Sequence, residues 1–142
     1  MIIPDLNVLL YAVDADSARH ERAEAWLKEA VNEGTEEIGL PWAVILGFLR
    51  LTTSSRVFPR PLSVEQALGW IRDLAARPSV RILDPGRAHL GILGHLLLAS
   101  GTGGNLTTDA HLAALCLEND AAIVTGDRDF LRFPGLRVEL LY

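Results

Sequence analysis

Cysteine is nearly absent. Cys116 stands alone, which excludes an internal disulfide and any zinc site built from several thiolates, and its setting in HLAALCLEN marks it as an ordinary core residue. Lysine is equally scarce: Lys28 is the only one beside twelve arginines. No apolar stretch reaches the roughly 20 residues that a bilayer-spanning helix needs; the best, Leu40 to Leu49, is about half that, and Leu90 to Ala99 is interrupted by His95. The opening MIIPDLNVLLYA has neither a basic segment nor a small-residue cleavage site, so no signal peptide is expected and a cytoplasmic location follows. There is no GxSxG elbow and no GxxxxGK[ST] loop, which disfavours serine-hydrolase and P-loop chemistry. His20, His89, His95 and His111 lack the i, i+4 pairing and acidic company of a zinc-protease motif, so structural roles are expected, with His111 beside a helix start.

What is present is enough for one domain. With 142 residues, 49% of them hydrophobic, residues 1–142 can bury a substantial core as a single unit. The net charge of −5 is unevenly spread. Residues 1–42 carry three basic and nine acidic side chains, residues 43–100 seven and three, and residues 101–142 three and six. The middle third is therefore basic, and all seven of its cations are arginines, among them Arg50, Arg56 and Arg60. Guanidinium suits bidentate contacts to phosphate, while scattered helix-surface arginines are equally compatible with simple solvation. Both readings stay open.

Short apolar runs alternate with longer segments of 3.6-residue periodicity, the pattern of an α/β fold with a central, mostly parallel β-sheet flanked by α-helices. Strands are predicted at Met1 to Ile3, Glu37 to Leu40, Val80 to Leu83, Ala121 to Thr125 and Leu136 to Leu141. Helices are predicted at Val8 to Val13, from a Ser17 cap through Asn32, from Pro41 to Thr53, from the Ser63/Gln66 capping box to Ala76, from Arg87 to Ser100, and from Thr108 to Asn119. Ala23, Trp26, Leu27 and Ala30 form one apolar helical face, closed by Gly34. Residues 101–105 read as a turn, and Asp127 to Arg132 as a helical turn. Trp26, Trp42, Phe48 and Trp70 occupy helix-face positions suited to core or interface packing.

Four aspartates fall where an apolar run ends or a helix begins: Asp5 in IIPDLN, Asp109 in NLTTDAHLAAL, and Asp127 and Asp129 in AAIVTGDRDF. If the first and fourth strands are parallel, Asp5 and Asp127 share the carboxyl rim of the sheet, where α/β folds bind ligands. A helix opening near Thr108 aims Asp109 at the same rim. Carboxylates crowded in a partly dry cleft repel one another unless a divalent cation holds them, which points to Mg²⁺ or Mn²⁺. Such an ion can activate water and relieve charge on a phosphodiester, with Thr107, Thr108 and Thr125 offering hydroxyls nearby. A second reading stands beside this one: Thr108 and Asn7 as helix caps, and Asp109 and Asp127 as the usual acids of a first helical turn. Asp5 has no comparable structural need.

The segments PDLNVLLYA, PWAVILGFLRLTT, TDAHLAALC and VTGDRDFLRFPGL, in this order and spacing across essentially the whole chain, resemble the PIN-domain ribonucleases, and within them the VapC toxins of toxin–antitoxin pairs. The resemblance implies a Mg²⁺-dependent endoribonuclease with a PIN-like α/β domain. It implies Asp5 and Asp109 as core metal ligands, Asp127 completing the acidic pocket, Asp129 as a fourth acid, and Asn7 orienting Asp5. A structured RNA such as tRNA or ribosomal RNA, a homodimer, and an inhibitory VapB-type antitoxin that sets an arginine into the acidic pocket are implied as well. One position departs from the pattern: where the family often places a glutamate, this chain has Gly47. That leaves open a PIN-fold interaction domain with weakened activity. Aspartyl-phosphate phosphatases and receiver domains also gather acids at strand ends, but resemblance to them demands a lysine near the acyl phosphate, and Lys28 lies mid-helix on a charged face.

Overall fold

Runs too short for stable helices and apolar on both faces make the sheet. In the computed structural model, which describes residues 1–101 and 103–142, they are β1 (Ile2–Pro4), β2 (Ile38–Pro41), β3 (Val80–Leu83), β4 (Ala122–Thr125) and β5 (Arg137–Leu140). The strand order is β3-β2-β1-β4-β5, and every pairing is parallel. Burial follows position: β1 and β2 are buried at every residue, whereas the edge strands β3 and β5 expose alternate or central side chains. Only strands covered on both faces read as unbroken apolar runs.

Parallel strands need crossovers, and among the described residues six helices supply the cover: α1 (Leu6–Val13), α2 (His20–Glu33), α3 (Trp42–Thr52), α4 (Val64–Ala75), α5 (His89–Ser100) and α6 (Thr107–Glu118). α1 packs on α2 and α3, α3 on α4, and α5 on α6. The Ser63/Gln66 capping box is present in both directions, and Gly34 closes α2 in the left-handed conformation at φ 59°. Helix starts differ most from expectation. Ser17 does not cap α2; its hydroxyl accepts from the Arg19 amide two residues on, so the helix begins at His20. Pro41 ends β2 and precedes α3 instead of opening it. α5 begins at His89, after a turn. The turn expected over residues 101–105 includes Thr102, which lies outside the described residues; beyond it Gly104–Leu106 form a single 3₁₀ turn.

The core gathers Ile3, Leu9, Ile38, Leu40, Phe48, Leu112, Leu115, Ile123 and Phe130, with Phe48 stacked on Trp70 at 4.7 Å between ring centroids. Trp26 is buried, but Trp42 is 47% exposed. Gly39 shows how tightly the sheet is packed. A Cβ there would come within 2.5 Å of Leu83 Cδ1 and 3.1 Å of Ile3 Cγ1. Gly39→Ala should therefore cost about 1–3 kcal/mol through overpacking, read as a lower denaturation midpoint; an unchanged midpoint would contradict the packing described.

Candidate active site

The chain leaves β1 toward β2 on one side, while β4 pairs with β1 on the other, so β1 and β4 flank a topological switch point whose carboxyl end is the natural ligand crevice. Asp5 follows β1 directly. Its amide donates to the Val124 carbonyl at 2.9 Å, extending the β1–β4 ladder by one residue. Its side chain stands at the first position before α1 without capping it. Instead the Thr125 hydroxyl donates to Asp5 Oδ2 at 2.8 Å. The same hydroxyl accepts from the Asp127 amide at 2.9 Å, and Asp127 Oδ1 accepts from the Asp129 amide at 2.9 Å. Three hydrogen bonds thus link both strand ends and the turn after β4. Asp5 is only 6% exposed, and Thr125 is fully buried.

Asp109 enters from the first turn of α6. Its pKa is pushed up to about 6, first by burial and then by the negative charges of Asp5, Asp127 and Asp129, in that order. The Asp5 carboxyl is also raised, chiefly by burial and slightly by Asp127, while the hydrogen bonds from Thr125 and the Leu6 backbone act in the opposite sense. All four acids therefore act on Asp109 or on one another through one field. Asp129 differs from the rest: its carboxylate pairs with Arg132 at 3.5 Å, with both side chains about half exposed. Among the described residues no three carboxylate, histidine or cysteine side chains close into a cage around one point.

The other sequence-marked residues fall in different places. Asn7 lies in the first turn of α1, which begins at Leu6, so it is not the cap of a helix from Val8. It is exposed, and the described hydrogen bond to the Asp5 side chain comes from Thr125 instead. α6 starts one residue early, at Thr107, so Thr108 does not cap it; both threonines are exposed. Gly47 is buried against α1, where a Cβ would stand 2.5 Å from Leu6 Cδ2, the neighbour of Asp5. Arg50 sits in the last turn of α3, and Arg56 and Arg60 lie in the loop beyond. Arg60 pairs with Asp16 at 3.2 Å, past the far end of α1 from Asp5; eight residues of helix place it roughly 12 Å down the axis.

The sequence reading missed two groups. Tyr11, Arg19, Arg128 and Tyr142 line a cavity with Asn7 and Asp127; Tyr11 and Arg128 lay inside the marked segments PDLNVLLYA and VTGDRDFLRFPGL without being singled out, and Arg19 and Tyr142 lay outside them. His89 Nε2 meets His111 Nδ1 at 2.8 Å, and His89 Nδ1 bonds Glu118, whose second oxygen accepts from the Gly86 amide at 2.8 Å. This chain fastens the start of α5 to α6. It bears out a structural role for these two histidines, though His111 acts through His89 and not as a cap neighbour.

The PIN domain family model matches residues 2–136, so the chain belongs to the PIN domain family. Among curated relatives, Ribonuclease VapC37 and Ribonuclease VapC33 of Mycobacterium tuberculosis are each 45% identical over 137 residues, covering 96% of this chain and 94% and 95% of their own lengths. Two similar folds are the crystal structure of VapBC2 from Rickettsia felis bound to a promoter DNA fragment (TM-score 0.73, 19% identity) and VapBC-1 from nontypeable Haemophilus influenzae (TM-score 0.70, 18% identity). In both cases 99% of this chain and 98% of the other are covered.

The raised Asp109 carboxyl gives a pH test. Its folded pKa lies above the ordinary 3.8, so in metal-free protein its contribution to stability is complete below about pH 4 and is lost as pH rises through about 6. Asp109→Asn should remove that loss and stabilise the metal-free protein by about 1–2 kcal/mol at pH 7, a figure reduced for partial solvent screening. Denaturant midpoints of both proteins between pH 4 and 8 check it; parallel curves would refute the shared field.

Proposed function

We propose that this chain is the toxin of a type II toxin–antitoxin pair: a Mg²⁺-dependent endoribonuclease, with Mn²⁺ able to substitute, that hydrolyses phosphodiester bonds of RNA in the cytoplasm. The observation that carries this reading is the convergence of Asp5, Asp109 and Asp127 at the β1/β4 switch point, with Asp109 pushed up to about 6 by burial and by the other acids. Identity of 45% to proteins named as VapC ribonucleases supports the reaction class.

The donor set fits a hard divalent cation. It offers carboxylate oxygens only, and their mutual repulsion is the energy such an ion relieves. Mg²⁺ commonly takes one or two carboxylates and keeps several waters, so it would need few of these acids. When bound, the ion supplies an activated water and charge relief at the scissile phosphate. The chain's part is to hold the acids still. Thr125 orients Asp5, the Asp129 amide orients Asp127, and α6 presents Asp109. Asp129, tied to Arg132, takes an outer position. Asn7 and Thr108 are both exposed and would be open to water or phosphate. With Gly47 in place of a fourth carboxylate, one tightly held ion is the favoured arrangement.

The substrate we propose is structured RNA, such as tRNA or ribosomal RNA, with Arg50, Arg56 and Arg60 holding its backbone away from the cut. A VapB-type antitoxin covers the toxin and sets an arginine among Asp5, Asp109 and Asp127, and two toxin chains form a homodimer. Apolar surface for partners is available: Trp42 and Leu46 on α3, and Val64 and Leu68 on α4, are all exposed. Fold similarity to VapBC complexes agrees with such pairing.

Asp5→Asn and Asp109→Asn should each lower RNA cleavage by more than the roughly 10–100-fold typical of losing a supporting partner, with Asp129→Asn doing less harm. Mn²⁺ at one hundred times its Kd should stabilise the wild type by about 2.7 kcal/mol. A wild type that folds but neither cleaves RNA nor gains stability from Mn²⁺ would instead be an interaction domain. Antitoxin and Mn²⁺ should weaken each other's binding by the same factor, and a metal-independent antitoxin affinity would rule out inhibition through the acidic pocket. Replacing Arg50, Arg56 and Arg60 by Gln should flatten the salt dependence of RNA binding by up to about 0.9 per lost contact.

A further inference from the structure

A cavity of about 400 Å³ opens beside the acids, lined by Asn7, Tyr11, Arg19, Gly126, Asp127, Arg128 and Tyr142. Asp127 belongs to both, so the cavity and the acidic centre share a wall. Its composition is unlike the rest of the rim. The Arg19 guanidinium carbon lies 4.6 Å from the Tyr142 ring centroid and 5.7 Å from that of Tyr11, and the two rings meet edge to face at 5.9 Å. A cation stacked on two rings is held in one plane at the cost of little further ordering. The ring of Tyr142 is itself held close to the backbone: a Cβ at Gly126 would overlap it, so only glycine admits the ring there.

Neither Arg19 nor Arg128 pairs with a carboxylate among the described residues, although Asp127 lines the same cavity. A polynucleotide supplies the anionic partner that both arginines lack. An RNA entering an acidic centre carries phosphates on either side of the scissile one, and those meet repulsion unless cations stand next to the acids. A planar, stacked arginine also presents its outer face to an unpaired base.

We propose that this cavity is the subsite for the nucleotide flanking the cleaved bond, with Arg19 and Arg128 taking its phosphate and the Tyr11–Arg19–Tyr142 stack receiving its base. The proposal rests on the ribonuclease reading and deepens it: the basic contacts nearest the chemistry come from the two acidic thirds of the sequence, not from the basic middle.

The test uses the full chain with Mn²⁺ and a single-stranded 12-nucleotide RNA of mixed sequence, fluorescein-labelled. Arg19→Gln and Arg128→Gln are compared with wild type in KM and kcat, and in RNA affinity by fluorescence anisotropy at several salt concentrations without divalent metal. Arg19→Gln and Arg128→Gln should each raise KM about tenfold with kcat within about twofold, the signature of lost uniform binding. Each should also flatten the salt slope by about 0.7, the value of one single-strand phosphate contact. Arg19→Lys keeps the charge without the plane, so it should recover the slope while leaving KM raised. Arg128 is exposed, so its variant carries the test if loss of the Arg19 stack unfolds the protein. A wild type that cleaves, with Arg128→Gln matching it in KM and slope, overturns the subsite and leaves the nuclease standing. A wild type that neither binds nor cleaves this RNA, or any folded tRNA, overturns the ribonuclease reading and the subsite with it.

Discussion

The parallel pairing of β1 with β4 is the constraint on which the site depends. Its register sets Pro4 opposite Val124, so Asp5 and Thr125 leave the sheet side by side, and the Asp5 amide still bonds the Val124 carbonyl. Because the two strands lie on either side of a reversal in strand order, no crossover covers the space above their ends. A one-residue slip would turn Thr125 to the opposite face of the sheet. Asp5 would then be a buried carboxylate without its hydroxyl donor, and Asp127 would lose the acceptor for its amide. Register is protected by burial, since Ile3, Ile123 and Val124 have no solvent-facing alternative.

The arrangement works against stability in the metal-free chain. A carboxylate that is 6% exposed, beside an Asp109 carboxyl raised first by burial and then by the charges of the other acids, is a feature that a fold selected only for stability would lack. Cys116 and the His89–Glu118–His111 chain are the contrast. Cys116 is buried and pushed up to about 12 by that burial, an inert core residue. The histidine chain satisfies its own polar atoms and ties two helices together. Raised pKa values where several acids share a cleft are grounds for proposing function there.

The sheet and the acids were legible because each has a local signature. An unbroken apolar run such as AAIVT followed by Gly-Asp reads as a buried strand and its end, and the Ser63/Gln66 box is visible three residues apart. Helix starts were less legible: Ser17 and Thr108 have the right chemistry for caps, but tertiary packing decides which turn begins the helix. The cavity beside Asp127 was hidden for a different reason. Tyr11, Arg19, Arg128 and Tyr142 are brought together from both ends of the chain, and charge summed over thirds of the sequence averages away two arginines placed among acids. Gly47 likewise gained its meaning only when its neighbour, the Leu6 side chain, was seen.

The central proposal is that Asp5, Asp109 and Asp127 would together hold a divalent ion. Paramagnetic broadening of backbone amide signals by substoichiometric Mn²⁺ tests it most directly, because the effect falls steeply with distance and needs no substrate. The account predicts that the signals of Leu6, Thr125, Asp127 and Ala110 vanish first, while those of Arg56 and Gly86 persist, and that Asp5→Asn protects all of them. Broadening centred instead on Asp14 and Asp16, or unchanged by Asp5→Asn, would contradict it.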